Sequence, residues 1–284
     1  MQVAVIGGGG YTGALTFGFL QRAGSLYGTG LSPNCRCIGA TSATSLQLNT
    51  ILGKNFCLAQ ADEPFIKLTN LESVEAIQKR LEGYDAVILG NEMVVEKRPV
   101  TAGTFEKGPN DKTLEIFWDL YRGNGMSPEA APQAEKMIDN TLQACQSAGI
   151  QHVVGVATSN SGNTNTEKFM QQIKGCGVPY SLIQCSDELI RLQDYTYRRG
   201  VQGNLEIRVN DQDTTTQSSS GATYREDIAA LSVQCLQSLD WSTSRHLVVC
   251  SDGPVAVNEP SSKRPDQEWV VNSHVLSDKL SNLL

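Results

Sequence analysis

The chain has 284 residues and a formal net charge of −7, with 23 Lys and Arg against 30 Asp and Glu. A chain of that length can bury one large core, and α/β folds of this size often form a single domain with a small appended lobe. The acidic balance argues against a nucleic-acid partner, because a phosphate backbone is gripped by clustered Lys and Arg, and no apolar run approaches the roughly 18 residues of a membrane span.

In chain order, Val3–Ile6 is an apolar run too short for a helix, and the apolar spacing of Ala14–Leu20 is that of a helix packed on a sheet. Between them, Gly7, Gly10 and Gly13 recur every third residue. In a strand–turn–helix unit the first such glycine permits a tight turn and the second lets backbone approach a diphosphate. The third lets the helix pack close to the strand. The helix then offers its unpaired N–H groups to the phosphates. The plain alternative is a glycine-rich turn without a ligand, but its place directly after the first strand favours a dinucleotide. Gly7, Gly8, Gly9, Gly10, Tyr11, Thr12 and Gly13 are therefore the candidate cofactor-binding loop.

Further strand-like runs are predicted at Cys35–Ala40, Phe65–Lys67, Ala86–Leu89, His152–Ala157, Tyr180–Gln184, Leu205–Val209 and His246–Cys250. Between most of them lie helical patterns. Leu71, Val74, Ile77 and Leu81 form one face of a predicted helix stopped by Gly83. Ala134–Ala148 repeats the pattern with Met137, Ile138, Leu142 and Cys145, and another helix starts near Thr166. This alternation predicts an α/β fold, a Rossmann-type doubly wound parallel sheet covered on both faces, with its ligand crevice beyond the strands' carboxyl ends. Gly90 and Asn91 follow the fourth strand at that edge and join the candidate cofactor-binding residues.

Two segments interrupt the alternation. Residues 92–129 form a long excursion containing Phe117, Trp118, Leu120 and Tyr121. Loops of that length in a compact domain usually carry function. These aromatic and apolar residues either cover a substrate, anchor a protein partner or patch the domain's own core. Residues 210–220 are polar and turn-forming, and Val270–Leu284 has a helical pattern that docks on the domain or on a partner. The whole reads as one domain over 1–284, with a C-terminal substrate or partner lobe at roughly 185–284.

Cys35, Cys37, Cys57, Cys145, Cys176, Cys185, Cys235 and Cys250 are scattered mostly through apolar segments without C-x-x-C spacing or a nearby His. Buried free thiols in a reducing compartment are the expectation, and no metal site is predicted. The three histidines, His152, His246 and His274, lie in or near apolar runs and read as structural. No nucleophile or carboxylate is arranged with them.

Several ordered signatures together resemble the atypical short-chain dehydrogenase/reductase family, in particular its NAD(P)-binding, NmrA-like branch. Gly7–Gly13 resembles the branch's G-x-x-G-x-x-G loop, and Gly83-Tyr84-Asp85-Ala86-Val87 its G-x-D-A-V strand. Ala148–Thr158 is similar to the strand A-G-V-x-x-x-V-x-V-S-S, Gly177–Ile183 to G-L-x-Y-T-I-I, and Tyr224–Ala229 to the late S-R-E-D-V-A. The resemblance implies an NAD(P)-binding domain and a Tyr-x-x-x-Lys pair in which lysine lowers the tyrosine pKa. Counting back from Tyr180, Lys168 falls at the lysine and Thr164 at the tyrosine. A threonine hydroxyl is too weak an acid to replace a tyrosine that itself starts near a pKa of about 10. Thr158 supplies the hydroxyl that orients a carbonyl. The implied catalytic candidates are thus Thr158, Lys168 and Thr164, with Lys168 also readable as a surface lysine.

After the second strand the sequence offers Thr41 and Ser42 and no acid. Hydroxyl donors there suit a 2′-phosphate, which favours NADP(H) over NAD(H), although the same residues could simply cap the next helix. Two functions remain open: a NADPH-dependent reductase of a small carbonyl, enone or quinone, and a dinucleotide-binding regulatory, assembly or complex-bound subunit. The missing tyrosine and the 92–129 excursion favour the second. The expected location is the cytoplasm or the plastid stroma.

Overall fold

The computed structural model describes residues 1–7, 12, 13, 16, 19, 20, 35–39, 65–67, 73–91, 93, 131–158, 166–185, 188–190, 205–210, 222–251 and 276–283. The strands are β1 (Val3–Ile6), β2 (Cys35–Gly39), β3 (Phe65–Lys67), β4 (Ala86–Gly90), β5 (His152–Thr158), β6 (Tyr180–Cys185), β7 (Glu188–Ile190), β8 (Leu205–Val209), β9 (Ala222–Tyr224) and β10 (Arg245–Ser251). Helices α1 (Val74–Leu81), α2 (Ala131–Ala148), α3 (Thr166–Lys174) and α4 (Arg225–Ser238) connect them. Thr12, Gly13, Thr16, Phe19, Leu20 and residues 276–281 are also helical.

Eight strands form one sheet in the order β3-β2-β1-β4-β5-β6-β10-β8, parallel throughout except for the antiparallel edge pair β10–β8. The order reverses direction at β1, whose neighbours are β2 on one side and β4 on the other. At such a switch point, crossovers leave to opposite faces and a crevice opens beyond the carboxyl ends. This is the doubly wound sheet expected from the alternation of patterns.

The two faces are read from the strand period of two. Val3, Val5, Ile88, Val154 and Val156 point to one face, where Phe19, Leu20, α4, Leu276 and Leu280 cover them. Ala4, Ile6, Val87, Leu89 and Val153 point to the other, under α1, α2 and α3. The central strands are buried on both sides, which is why they read as continuous apolar runs.

Helix limits follow local chemistry. The side chain of Ser73 accepts from the Ala76 N–H at 3.3 Å and starts α1 at Val74, three residues later than the apolar pattern's first member. Gly83, at φ +83°, closes it, with the Tyr84 N–H donating to the Leu81 carbonyl at 3.0 Å. α2 begins at Ala131, ahead of the predicted Ala134, because Pro132 falls in the first turn where its missing N–H costs nothing.

Three elements had no forecast. β7 and β9 pair in parallel as a separate two-stranded sheet. The third, α4, has every residue from Glu226 to Leu236 buried. The helix at 276–281 docks on the domain: Leu276 and Leu280 join the α4 core, and Lys279 Nζ donates to the Leu205 carbonyl.

Candidate functional site

Directly after β1 comes Gly7, whose φ of +83° lies in the left-handed region that favours glycine. The chain is helical again at Thr12 and Gly13, both buried. The Thr16 hydroxyl donates to the Thr12 carbonyl one turn back at 2.8 Å, and the residue is fully buried. Gly8, Gly9, Gly10 and Tyr11 lie outside the described residues, as do Thr41 and Ser42. Arg225 Nη1 donates to Thr12 Oγ1 at 3.0 Å across 213 residues of sequence. Sequence reasoning gave Arg225 no role, since nothing local could pair it with Thr12.

β4 and β5 are tied together beyond their last ladder pair. The Asn91 N–H donates to the Val156 carbonyl at 3.2 Å. Its side chain then takes over the ladder: Nδ2 donates to the Thr158 carbonyl at 2.9 Å, and Oδ1 accepts from the Thr158 N–H at 3.0 Å. The Thr166 hydroxyl donates to the same Thr158 carbonyl at 2.7 Å, bringing the first residue of α3 onto β5. Asn91 is 0 % exposed and Thr158 1 %. Gly90 fits this close approach for a reason internal to the protein: a Cβ there would lie 2.8 Å from the Val156 carbonyl oxygen and 3.0 Å from Met93 Sδ.

Thr158 donates its hydroxyl proton to Asn91 Oδ1 at 3.3 Å. It must give up that bond before it can donate to a substrate carbonyl. Lys168 sits in the first turn of α3, where its ammonium meets Glu135 Oε2 of α2 at 2.7 Å. One turn on, Gln172 Nε2 bonds Asp139 of the same helix, so Lys168 and Gln172 form a polar seam between α2 and α3. The hydrogen bond and charge of Glu135 push the Lys168 pKa up and keep it protonated. Thr164 lies outside the described residues, as do Phe117, Trp118, Leu120 and Tyr121. The structure thus joins Thr158 to Asn91 and Thr166, and it joins Lys168 to α2.

The described histidines serve the sheet. His152 lies between Ser181 Oγ at 2.9 Å and the Trp241 carbonyl at 3.2 Å, and its ring stacks on Trp241. His246 Nε2 meets Gln184 Oε1 at 2.8 Å. Cys145, Cys176, Cys185 and Cys235 are buried free thiols; burial holds the Cys235 thiol at about 12, far from a reactive thiolate. Among the described residues no cluster of three His, Cys, Asp or Glu could hold a metal, and no helix is long and apolar enough to cross a membrane.

Gly7, directly after β1, and Thr12, bonded to the Arg225 guanidinium, lie on the same stretch of chain that leaves the first strand. No protein-family model matches the chain, and no curated protein matches its sequence. Among solved structures it is similar to a Rossmann-fold NAD(P)-binding family protein of Shigella flexneri at 12 % identity and a TM-score of 0.50, over 92 % of this chain and 98 % of that one. An anaerobillin reductase of Escherichia coli O157:H7 also reaches a TM-score of 0.50, at 9 % identity, over 87 % of this chain and 97 % of its own. The chain has the mostly parallel, helix-flanked sheet of the Rossmann-type dinucleotide-binding fold.

Proposed function

We propose that the chain binds NAD(P)(H) across the carboxyl edge of β1 and β4 and uses the reduced form to reduce a small carbonyl, enone or quinone. The observation that carries the reading is the left-handed backbone at Gly7 directly after β1, followed by helical Thr12 and Gly13, with Arg225 hydrogen-bonded to Thr12. Gly7, Gly8, Gly9, Gly10, Tyr11, Thr12 and Gly13 would hold the diphosphate through backbone N–H groups. Thr41 and Ser42 would meet a 2′-phosphate, favouring NADP(H) over NAD(H). The bound nicotinamide supplies a hydride. Thr158 closes β5 at the crevice edge and orients the acceptor once it exchanges its bond with Asn91 for one to the substrate. The accompanying proton comes from water, since Thr164 stands where a family tyrosine would. The anaerobillin reductase with the same fold supports this reading at the level of architecture.

A second reading has its own observation. The Lys168 ammonium is held by Glu135 on α2, and the Thr158 proton is held by Asn91. A protein of the atypical short-chain dehydrogenase/reductase, NmrA-like kind with those groups engaged would bind the dinucleotide without turnover. It would act as a regulatory, assembly or complex-bound subunit, docking through Phe117, Trp118, Leu120 and Tyr121 in the 92–129 excursion. Its setting would be a reducing compartment, the cytoplasm or the plastid stroma, in keeping with five free cysteines among the described residues.

Loss of NADPH absorbance with a panel of aldehydes, enones and quinones separates the two. The reductase reading expects saturable oxidation that falls when Thr158 is changed to Val. Binding of NADPH with no oxidation by any acceptor transfers the assignment to the second reading, which then expects a captured protein partner to be lost on Trp118→Ser.

A further inference from the structure

We infer that the protein has a second ligand site on the edge of the sheet opposite the dinucleotide crevice, a cleft between α3, β6, β8 and β10 that takes the phosphate of a small phosphomonoester. The inference shares no residue with the dinucleotide reading and stands independently of it.

The cleft has a volume of about 430 Å³ and lies at the amino ends of β6 and β10. Lys174 closes α3, Tyr180 starts β6 and Arg245 starts β10, and all three line it. The antiparallel strand β8 delivers Asn210 to the same place, because its carboxyl end meets the amino end of β10, with Val209 opposite Leu247. The strands β1 and β4 run parallel to β6 and β10, so the crevice beyond their carboxyl ends lies on the other edge of the sheet.

The lining is one-sided in charge. Lys174 and Arg245 are cationic, Ser244 adds a hydroxyl, and no acid is among the described lining residues. Nε of Arg245 is buried and has no hydrogen-bond partner among the described residues. A guanidinium keeps its protons at any ordinary pH, and a buried N–H without an acceptor is costly. An anion entering the cleft that Arg245 lines would supply the missing acceptor once the guanidinium turns toward it. Asp240 feels the charge of Arg245, but its carboxylate is bonded to the Ser242 N–H at 3.0 Å and the Ser242 hydroxyl at 2.7 Å. The wall behind is held by the sheet: His246 Nε2 meets Gln184 Oε1 at 2.8 Å, and the Asn210 N–H donates to the His246 carbonyl at 2.8 Å. The Ser244 hydroxyl accepts from the Tyr180 N–H at 3.3 Å and keeps its own proton to donate. Two cations with a hydroxyl donor suit a dianionic phosphate better than a single carboxylate. The volume leaves room for an organic group beyond the phosphate.

Amide resonances followed during titration with inorganic phosphate and with phenyl phosphate, at constant ionic strength, test the inference. Saturable shifts are expected at Asn210, Ser244 and Arg245, with phenyl phosphate binding more tightly than inorganic phosphate. Arg245→Gln is expected to weaken phenyl phosphate about tenfold, and Lys174→Gln, on the exposed end of α3, about threefold. Shifts that never saturate, or that are confined to Thr12 and Gly13, would overturn the inference. Inorganic phosphate binding as tightly as phenyl phosphate would overturn the ester as occupant. A folded Arg245→Gln protein that binds phenyl phosphate like the wild type would overturn the site itself. Should Arg245→Gln not fold, Lys174→Gln decides, and unchanged affinity in that variant overturns the inference.

Discussion

At its amino end β5 starts with His152, 0 % exposed, whose Nδ1 donates to the Trp241 carbonyl and whose Nε2 accepts from the Ser181 hydroxyl. At its carboxyl end, six residues on, it stops at Thr158, 1 % exposed, with its N–H and carbonyl both bonded to the Asn91 side chain. Both ends bury polar groups and both satisfy them. The amino end does so with an ionisable ring, stacked on Trp241, that fixes the loop before β10. The carboxyl end uses an amide and two hydroxyls that carry no charge at any ordinary pH. The crevice side of the strand is thus insulated from pH, while the opposite side is sensitive to it.

Breaking the carboxyl end should have the largest effect. Asn91→Leu strands the Thr158 N–H and leaves its carbonyl with Thr166 alone; the expected loss is about 3–5 kcal/mol of unfolding free energy, read by chemical denaturation. A variant within error of the wild type would show that the tie is dispensable.

A smaller effect tests how closely α3 is seated on the middle of the strand. A Cβ at Gly155 would lie 2.9 Å from Ile173 Cγ1 and 3.0 Å from its Cδ1. Gly155→Ala should therefore cost about 1–3 kcal/mol, and Ile173→Val should restore part of that loss in the double variant. Purely additive losses would place the contact elsewhere.

The amino end should show the smallest effect at neutral pH and a growing one in acid. Burial lowers the His152 pKa below its ordinary 6.5, against the raising influence of the Trp241 carbonyl and Asp240. The unfolded chain then binds the proton more readily than the folded one, so stability is full above about 6.5 and declines as pH falls toward the lowered value. His152→Gln should flatten that decline, measured as denaturation midpoint against pH. An unchanged slope would assign the acid sensitivity to other groups.

Much of this fold is legible in the sequence, for a physical reason. Strands buried on both faces are continuous apolar runs, and Ala86–Leu89 and Tyr180–Gln184 each extend by a single residue in the structure. α1 and α2 show one apolar face because their other face meets water. α4 shows none, because it is buried all round and hides its polar residues by local bonds, as Ser232 does in donating to the Ile228 carbonyl at 2.8 Å. β7 and β9, three residues each, pair only with one another in a separate small sheet and were not forecast. The site divides the same way. The glycine loop is a contiguous signal, whereas the bond between Asn91 and Thr158 spans 67 residues and that between Arg225 and Thr12 spans 213. Neither pairing leaves a trace in local spacing, and only the folded sheet brings the partners together.

The central claim is that the chain leaving β1 through Gly7, Thr12 and Gly13 holds a dinucleotide diphosphate. It is tested most directly by following the amide resonances of Thr12 and Gly13 while NADPH is added. The account predicts saturable shifts at both, larger than any at the His152 end of β5. Resonances that stay in place at NADPH concentrations well above cellular levels would contradict it.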